Sequence, residues 1–421
     1  MLNLIVAARL VLFTGLTAAA AGVALHDKER VAFIGNEFFE RDQDRGYIET
    51  QLTTRFPQKD LTFRNLGYSG DTVWADARSL CAGWDNFGPP EQGFGRLKGL
   101  VHEIRPTLIF VAYGMNESFD GPKGVDHFVQ GLERMLEMLS SESGGARVVL
   151  VSPIRHEDLG PPLPDPAEHN KNIQLYIDAM RHVAEKRGCV LIDLYDALAD
   201  GTKANRSVPL TSDGIHLTPY GYWRAAQVLE QTLGYAPRVW QVNLNAATGK
   251  FDAEGTTIDH VEAKSDRVSF RATDSVLPVA PAPENAPKAA LDGQQGLVPG
   301  ARRILAVAGL APGSYVLKSG TQTIASGTAQ QWANGIQLSS GPAFGQEEKL
   351  RRTVIAKEFD FFNYWRPQND TYIFGYRKHE QGRNAVEIPR FEPLVRAKEA
   401  EITKLRVPLS QTYNLTLQAR P

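Results

Sequence analysis

At 421 residues the chain is longer than one average domain, and 42% hydrophobic with 22% charged residues suits a globular protein with a full core. A formal net charge of −2 and the lack of any long basic run argue against nucleic-acid binding by charge. Two cysteines, Cys81 and Cys189, are too few for a disulfide framework, and no His/Cys spacing suggests a metal site.

From Met1 to Leu25 the chain is almost wholly apolar, with one cation at Arg9. The small residues Ala18–Gly22 follow the most apolar part, Leu10–Leu16. The pattern reads as an export signal, residues 1–25, with a small-residue cleavage region. The stretch is also long enough to remain as an uncleaved anchor, the one case in which membrane contact is expected. Either way the rest of the chain is expected in the periplasm, outside the cell or on its surface.

Strands and helices then alternate. Short apolar runs at Arg30–Ile34, Leu61–Asn65, Leu108–Ala112, Arg147–Ser152 and Val190–Leu194 read as buried parallel strands. Helical spacing appears between them, at Phe38–Phe56, Val125–Leu139, Asn172–Arg187 and Tyr220–Leu233. This alternation predicts a parallel sheet covered on both faces, over residues 27–235. Two long connections, Cys81–Gly95 and Arg155–Pro166, are expected to line a site or simply to cover the surface.

Composition shifts near Leu233–Pro237. Residues 236–421 read as a smaller accessory part, with alternating strands such as Trp240–Leu244 and Arg267–Arg271 and a Pro- and Ala-rich loop or linker at about 278–299. Two helices, Gln346–Trp365 and Glu392–Leu405, complete it.

Four short blocks could carry chemistry: Gly35-Asn36-Glu37, Asn65–Thr72, Gly114-Met115-Asn116-Glu117 and Asp213-Gly214-Ile215-His216. Three follow a strand directly, which gathers them at one edge of the sheet, where ligands bind in open α/β folds. His216, three residues after Asp213, can move a proton while the carboxylate fixes its tautomer. A backbone N–H at Gly70 and the Asn116 amide can point at a developing oxyanion.

Together these blocks resemble the SGNH/GDSL hydrolase family over residues 27–235. The resemblance implies a three-layer α/β/α, flavodoxin-like fold with a five-stranded parallel sheet. It implies an oxyanion hole of Asn116 with Gly70, or less readily Gly67, and an Asp213–His216 pair. It also implies ester hydrolysis, for instance of an O-acetyl group on an extracellular carbohydrate or similar small molecule, without metal or organic cofactor. The stretches Trp365–Asn369 and Phe374–Glu380 are similar to the tails of exported SGNH-like proteins of environmental bacteria. One departure is large. Where the family has Asp then Ser, this chain has Asn36 then Glu37. Ser69 and Ser118 lie nearby in sequence, but neither is at the nucleophile position. A carboxylate attacks esters poorly but can activate water. Three readings therefore stand open: an esterase with its serine replaced, a Glu37-based hydrolase of altered chemistry, and a non-catalytic binding protein that retains the cleft.

Overall fold

Every second residue of the strands faces one of two separate cores. In β1 (Arg30–Gly35), Val31 and Phe33 enter one core while Ala32 and Ile34 enter the other. β3 (Leu108–Ala112) repeats this, with Leu108 and Phe110 on one side and Ile109 and Val111 on the other. Such strands must lie between two helical layers, which is why they read as unbroken apolar runs. The computed structural model describes residues 22–79, 89–199, 208–288, 301–367, 370–380 and 384–418. Most of the expected export segment, residues 81–88 of the expected Cys81–Gly95 connection, residues 289–299 of the expected linker, and Gln368 and Asn369 lie outside these residues; the rest of that connection, from Pro90, is helix instead of loop.

The expected five-stranded parallel sheet is present. It comprises β1, β2 (Thr62–Gly67), β3, β4 (Arg147–Val151) and β5 (Val190–Ile192) in the order β2-β1-β3-β4-β5. In this order the crossovers leave β1 in opposite directions, so a crevice opens at the C-terminal ends of β1 and β3. One face carries α1 (Glu37–Asp42), α2 (Tyr47–Arg55) and α7 (Pro219–Thr232); the other carries α3 (Pro90–Ile104), α4 (Val125–Ser143) and α5 (Ala167–Arg187). The short α6 (Leu194–Ala197) follows β5.

The helical stretch Phe38–Phe56 is two helices, not one. Gly46 between them has φ 65, and a Cβ there would lie 3.0 Å from Ile355 Cγ1. The buried Asp42 carboxylate accepts the N–H groups of Tyr47 and Ile48, so the second helix starts against a fixed acceptor.

Beyond α7 the described residues form nine strands in two sheets. One contains β6 (Val239–Asn245), β7 (Phe251–Glu254), β10 (Arg302–Ala308) and β13 (Ile336–Gln337). The other contains β8 (Thr256–Lys264), β9 (Arg267–Asp274), β11 (Ser314–Ser319), β12 (Gln322–Thr328) and β14 (Gln411–Leu417). Trp240, Val242, Phe270, Leu305, Tyr315 and Tyr413 share their core. The described residues there also form the helices α8 (Ala329–Asn334), α9 (Pro342–Trp365), α10 (Asp370–Ile373) and α11 (Phe391–Leu405).

α9 leaves the β sheets and lies against the first half of the chain. Phe361 and Trp365 enter the same core as Leu66 and Tyr113. Buried Lys357 donates to Glu49 Oε2 at 2.5 Å and to the Phe63 carbonyl at 3.1 Å. Residues 278–288 also touch that half: Val279, Ala280 and Ala286 are buried, and Trp223 Nε1 donates to the Ala280 carbonyl.

The last residues of the expected export segment belong to the folded body. Val23 and Leu25 are buried, and Val23 N–H donates to the Leu233 carbonyl at 3.1 Å. Arg147 and Lys59 hold the carbonyls of Ala24 and Leu25. Their apolarity is that of core residues, so a cut after Leu25 would remove part of the core. A chain beginning at His26 should therefore be less stable than one beginning at Gly22, by about 1.5–3 kcal/mol for each of the two buried side chains. Urea unfolding of both measures this; equal midpoints would show that residues 22–25 stabilise nothing.

Candidate active site

Three strand ends and one helix meet so closely that only glycine fits. A Cβ on Gly35 would lie 2.3 Å from the Ala112 carbonyl oxygen, and one on Gly67 would lie 2.2 Å from the Glu40 nitrogen. Gly67 is thus a contact residue between β2 and α1. Asn36 caps α1 by accepting the Phe38 N–H, and Glu37 is the first helical residue.

The Glu37 carboxylate meets both expected oxyanion donors. Its Oε2 accepts from the Gly70 N–H at 3.4 Å and from Asn116 Nδ2 at 3.3 Å. Asn116 Nδ2 also donates to the Asp71 carbonyl at 3.0 Å, which fixes the amide's orientation. Among the described residues, Glu37 Oε1 has no hydrogen-bond donor.

Four buried side chains, Arg78, Tyr113, Glu117 and Tyr222, hold this arrangement from beneath. The Arg78 guanidinium donates to Asp71 Oδ2 at 2.6 Å and, through Nη2, to the carbonyls of Leu66 and Gly35 at 2.9 and 3.3 Å. The Tyr113 hydroxyl donates to the same Asp71 oxygen. Glu117 links the second and third blocks, accepting the Val73 N–H at 2.9 Å and the Gly114 N–H at 2.8 Å. Burial pushes its carboxyl up to about 7 although both amides favour the charged form. The Tyr222 hydroxyl donates to the carbonyls of Glu37 and Phe38 and steadies the first turn of α1. Sequence reading missed Arg78 and Tyr222, since neither lies in a block. It carried Glu117 only as the last residue of the third block.

Asp213 and His216 form a pair. Asp213 Oδ2 is 2.6 Å from His216 Nδ1, and Oδ1 accepts the N–H groups of Ile215 and His216. Burial raises the Asp213 carboxyl, but the His216 ring and the two amides outweigh it and hold the group below its usual range. A proton on Nδ1, assigned from the carboxylate facing it, leaves Nε2 for the pocket. The loop carrying the pair is clamped by the Arg155–Pro166 connection. Glu157 accepts from the Thr211 N–H at 2.8 Å, and its own N–H donates to the Gly214 carbonyl. His156 lies so close that a Cβ on Gly214 would be 2.6 Å from its Nε2.

Glu37 and His216 line one narrow pocket with Phe38, Met115, Ile154 and Leu217. Among the described residues no hydrogen bond or ion pair joins the two. A roomier cavity lies between α7 and the β sheets, lined by Trp223, Trp240 and Phe344, and holds neither.

Neither nearby serine is set up to attack. Ser69 is exposed, and its N–H donates to Glu40. Ser118 is fully buried, and its hydroxyl donates to the Met115 carbonyl at 2.6 Å. His169 Nε2, 2.8 Å away, must then donate to Ser118 Oγ, and His169 Nδ1 accepts from His156 Nδ1 at 2.9 Å. Burial, with His156 beside it, pushes His169 down to about 4. A neutral histidine already donating to the hydroxyl cannot act as its base.

The sequence of residues 30–224 matches the model of the GDSL-like Lipase/Acylhydrolase family. No curated protein matches the chain. Among solved structures, a gut microbial diltiazem-metabolizing enzyme superposes on 94% of this chain and 99% of its own, with a TM-score of 0.72 at 19% identity. The likeness is one of fold, and it includes the β sheets and helices that follow α7. An alpha/beta hydrolase enzyme from the metagenome of Lake Arreo, Spain, matches 50% of this chain and 97% of its own, at 22% identity and a TM-score of 0.38. A mutant of an acetyl-xylooligosaccharide esterase from Geobacillus Stearmophilus matches 50% and 96%, at 16% identity and a TM-score of 0.39.

Glu117 makes a prediction about stability. Its folded pKa lies above the ordinary value of 4.5, so the native state holds a proton that the unfolded chain has released. The stability it contributes is present below about 4.5, is lost as pH rises through about 7, and is flat above. The loss is on the order of 3 kcal/mol. Denaturant unfolding from pH 4.5 to 8 should show this decline in wild type and a smaller one in Glu117→Gln. Parallel curves would contradict the assignment.

Proposed function

Taking as premise that residues 30–224 form a domain of the GDSL-like lipase/acylhydrolase family, we propose that this domain hydrolyses a small O-acyl ester with water as the attacking oxygen. The observation that carries the reading is the asymmetry of the Glu37 carboxylate. Oε2 is anchored by the two oxyanion donors, while Oε1, without a hydrogen-bond partner among the described residues, remains to hold a water.

In this mechanism Glu37 Oε1 takes a proton from water as the hydroxide oxygen bonds to the ester carbonyl carbon. The carbonyl π electrons move to the carbonyl oxygen, which becomes the oxyanion. Negative charge thus leaves Glu37 as it appears on the substrate, and the Gly70 and Asn116 donors can follow it from one oxygen to the other. The tetrahedral intermediate collapses, the C–O bond to the alcohol breaks, and the departing alkoxide takes a proton from His216 Nε2. Asp213 supports the imidazolium form that this step requires. The proton on Glu37 then returns through solvent to His216. The narrow apolar pocket suits a small acyl group such as acetyl. The alcohol part, on this reading an extracellular carbohydrate or a similar molecule, would lie at the open edge beside Gly70, and the protein would act after export.

A second reading has its own observation. Oε2 sits where a substrate oxyanion would have to sit, so a chain that never releases it would be a binding protein with a self-filled hole.

Hydrolysis of p-nitrophenyl acetate by wild type, Glu37→Gln and His216→Ala separates the two. The hydrolase reading expects each variant to lose about 10²-fold or more in kcat, typical of a lost general base or acid. It also expects a bell-shaped pH profile and no labelling of wild type by a serine-directed phosphonate. Glu37→Ser should become labelled, since His216 and both donors remain. Equal residual rates in all three proteins would establish the binding reading. Labelling of wild type at Ser69 or Ser118 would contradict both.

A further inference from the structure

We propose that Arg366, at the end of α9, is a positioning residue that holds the Gly70 N–H in place, so that the active site is completed by the C-terminal part of the chain. The proposal rests on Gly70 serving as an oxyanion donor in the reading above.

Gly70 cannot place itself. It is exposed with φ +77, and a Cβ on it would touch nothing within 4 Å. Its N–H is therefore aimed by the residues on either side. On the C-terminal side Asp71 is fixed, buried between Arg78, Tyr113 and Asn116. On the N-terminal side the Tyr68 backbone is held by its N–H to the Gly35 carbonyl at 2.9 Å and by its carbonyl to the Asp71 N–H at 3.0 Å, while the Ser69 N–H donates to the Glu40 carboxylate.

Arg366 closes that side with one planar group. Its Cζ lies 3.3 Å from the centroid of the Tyr68 ring, a stacked cation–π contact. Its Nη1 is 2.9 Å from Glu40 Oε1. Tyr68 and Ser69, the two residues before Gly70, are thus gripped through the ring of one and the amide of the other. Both ends of the Arg366–Glu40 pair are largely shielded, at 23% and 16% side-chain exposure, so the contact is screened less than a surface pair. Glu40 also sits one helical turn from Glu37 on α1, so the same pair ties the loop to the helix that carries the carboxylate.

The arm that delivers Arg366 is stiff. The guanidinium follows Trp365 directly, and Trp365 is buried in the sheet core. The Arg366 N–H continues the α9 ladder to the Phe362 carbonyl. Two turns back, Lys357 is pinned to Glu49 and Phe63. A small displacement of a group aimed at the reacting atoms costs on the order of 10²-fold in rate. Loss of the brace should therefore appear in kcat and leave KM nearly unchanged.

The test compares full-length wild type, Arg366→Ala, Arg366→Lys and Glu40→Ala. Amide hydrogen exchange is read residue by residue, together with kcat and KM on p-nitrophenyl acetate. The expected result is faster exchange confined to Tyr68–Asp71 in both alanine variants, with kcat lowered about 10–10²-fold and KM kept. Lysine keeps the charge on Glu40 but not the planar stack, so it should restore part of both effects. Unchanged exchange at Ser69 and Gly70 would overturn the proposal. So would faster exchange spread evenly over the sheet, which would mark a merely structural role. Faster local exchange in a protein whose wild type turns over no ester would support the brace and overturn the hydrolytic reading instead.

Discussion

A single carboxylate oxygen, Glu37 Oε2, faces both the Gly70 N–H and the Asn116 amide, and the surrounding structure is built to keep all three in register. β1 and β3 approach until Gly35 touches the Ala112 carbonyl. Arg78 ties the ends of β1 and β2, and Glu117 ties the loop after β2 to the loop after β3. Each tie is a buried polar side chain that bridges two loops or strand ends by hydrogen bonds, and so fixes their spacing. With serine at this position the negative charge would have to be created on the substrate. With glutamate, on the proposed mechanism, the charge starts on the protein and reaches the substrate by one proton transfer.

The same logic extends across the chain. α9 brings buried Lys357 to Glu49, and Arg366 to Glu40. Breaking one partner of a buried pair leaves an uncompensated charge, at a cost of roughly 3–5 kcal/mol. These contacts therefore fix where α9 lies more firmly than apolar packing alone would. The β sheets carry this helix, and through it they bear on the loop beside the pocket.

Much of this could be read from the sequence because buried parallel strands have a plain signature. The run Val31–Ile34 and its counterparts gave the strands to within a few residues, and glycines at the strand ends marked the edge where chemistry gathers. Asp213 and His216 were visible because a local turn brings them together. What could not be read depends on partners far away in sequence. The break at Gly46 answers to Ile355. Glu347, Lys357 and Glu358 look like a solvated helix face, yet all three are buried. Arg366 stands out in the sequence only within the Trp365–Asn369 stretch, and nothing there points to Tyr68, on which the fold sets it. Val23 and Leu25 were absorbed into an apolar leader because apolarity alone cannot distinguish a signal from a core strap.

The central claim is that Glu37 delivers water to the ester and does not itself bond to the acyl carbon. A single turnover in ¹⁸O-labelled water, with enzyme in excess over ester, tests it most directly. The account predicts that the released acid carries the label after the first turnover while the Glu37 carboxylate carries none, as mass analysis of the peptide spanning Glu37 would show. An unlabelled acid together with label in Glu37 would mean that the carboxylate attacked and formed an anhydride, contradicting the account.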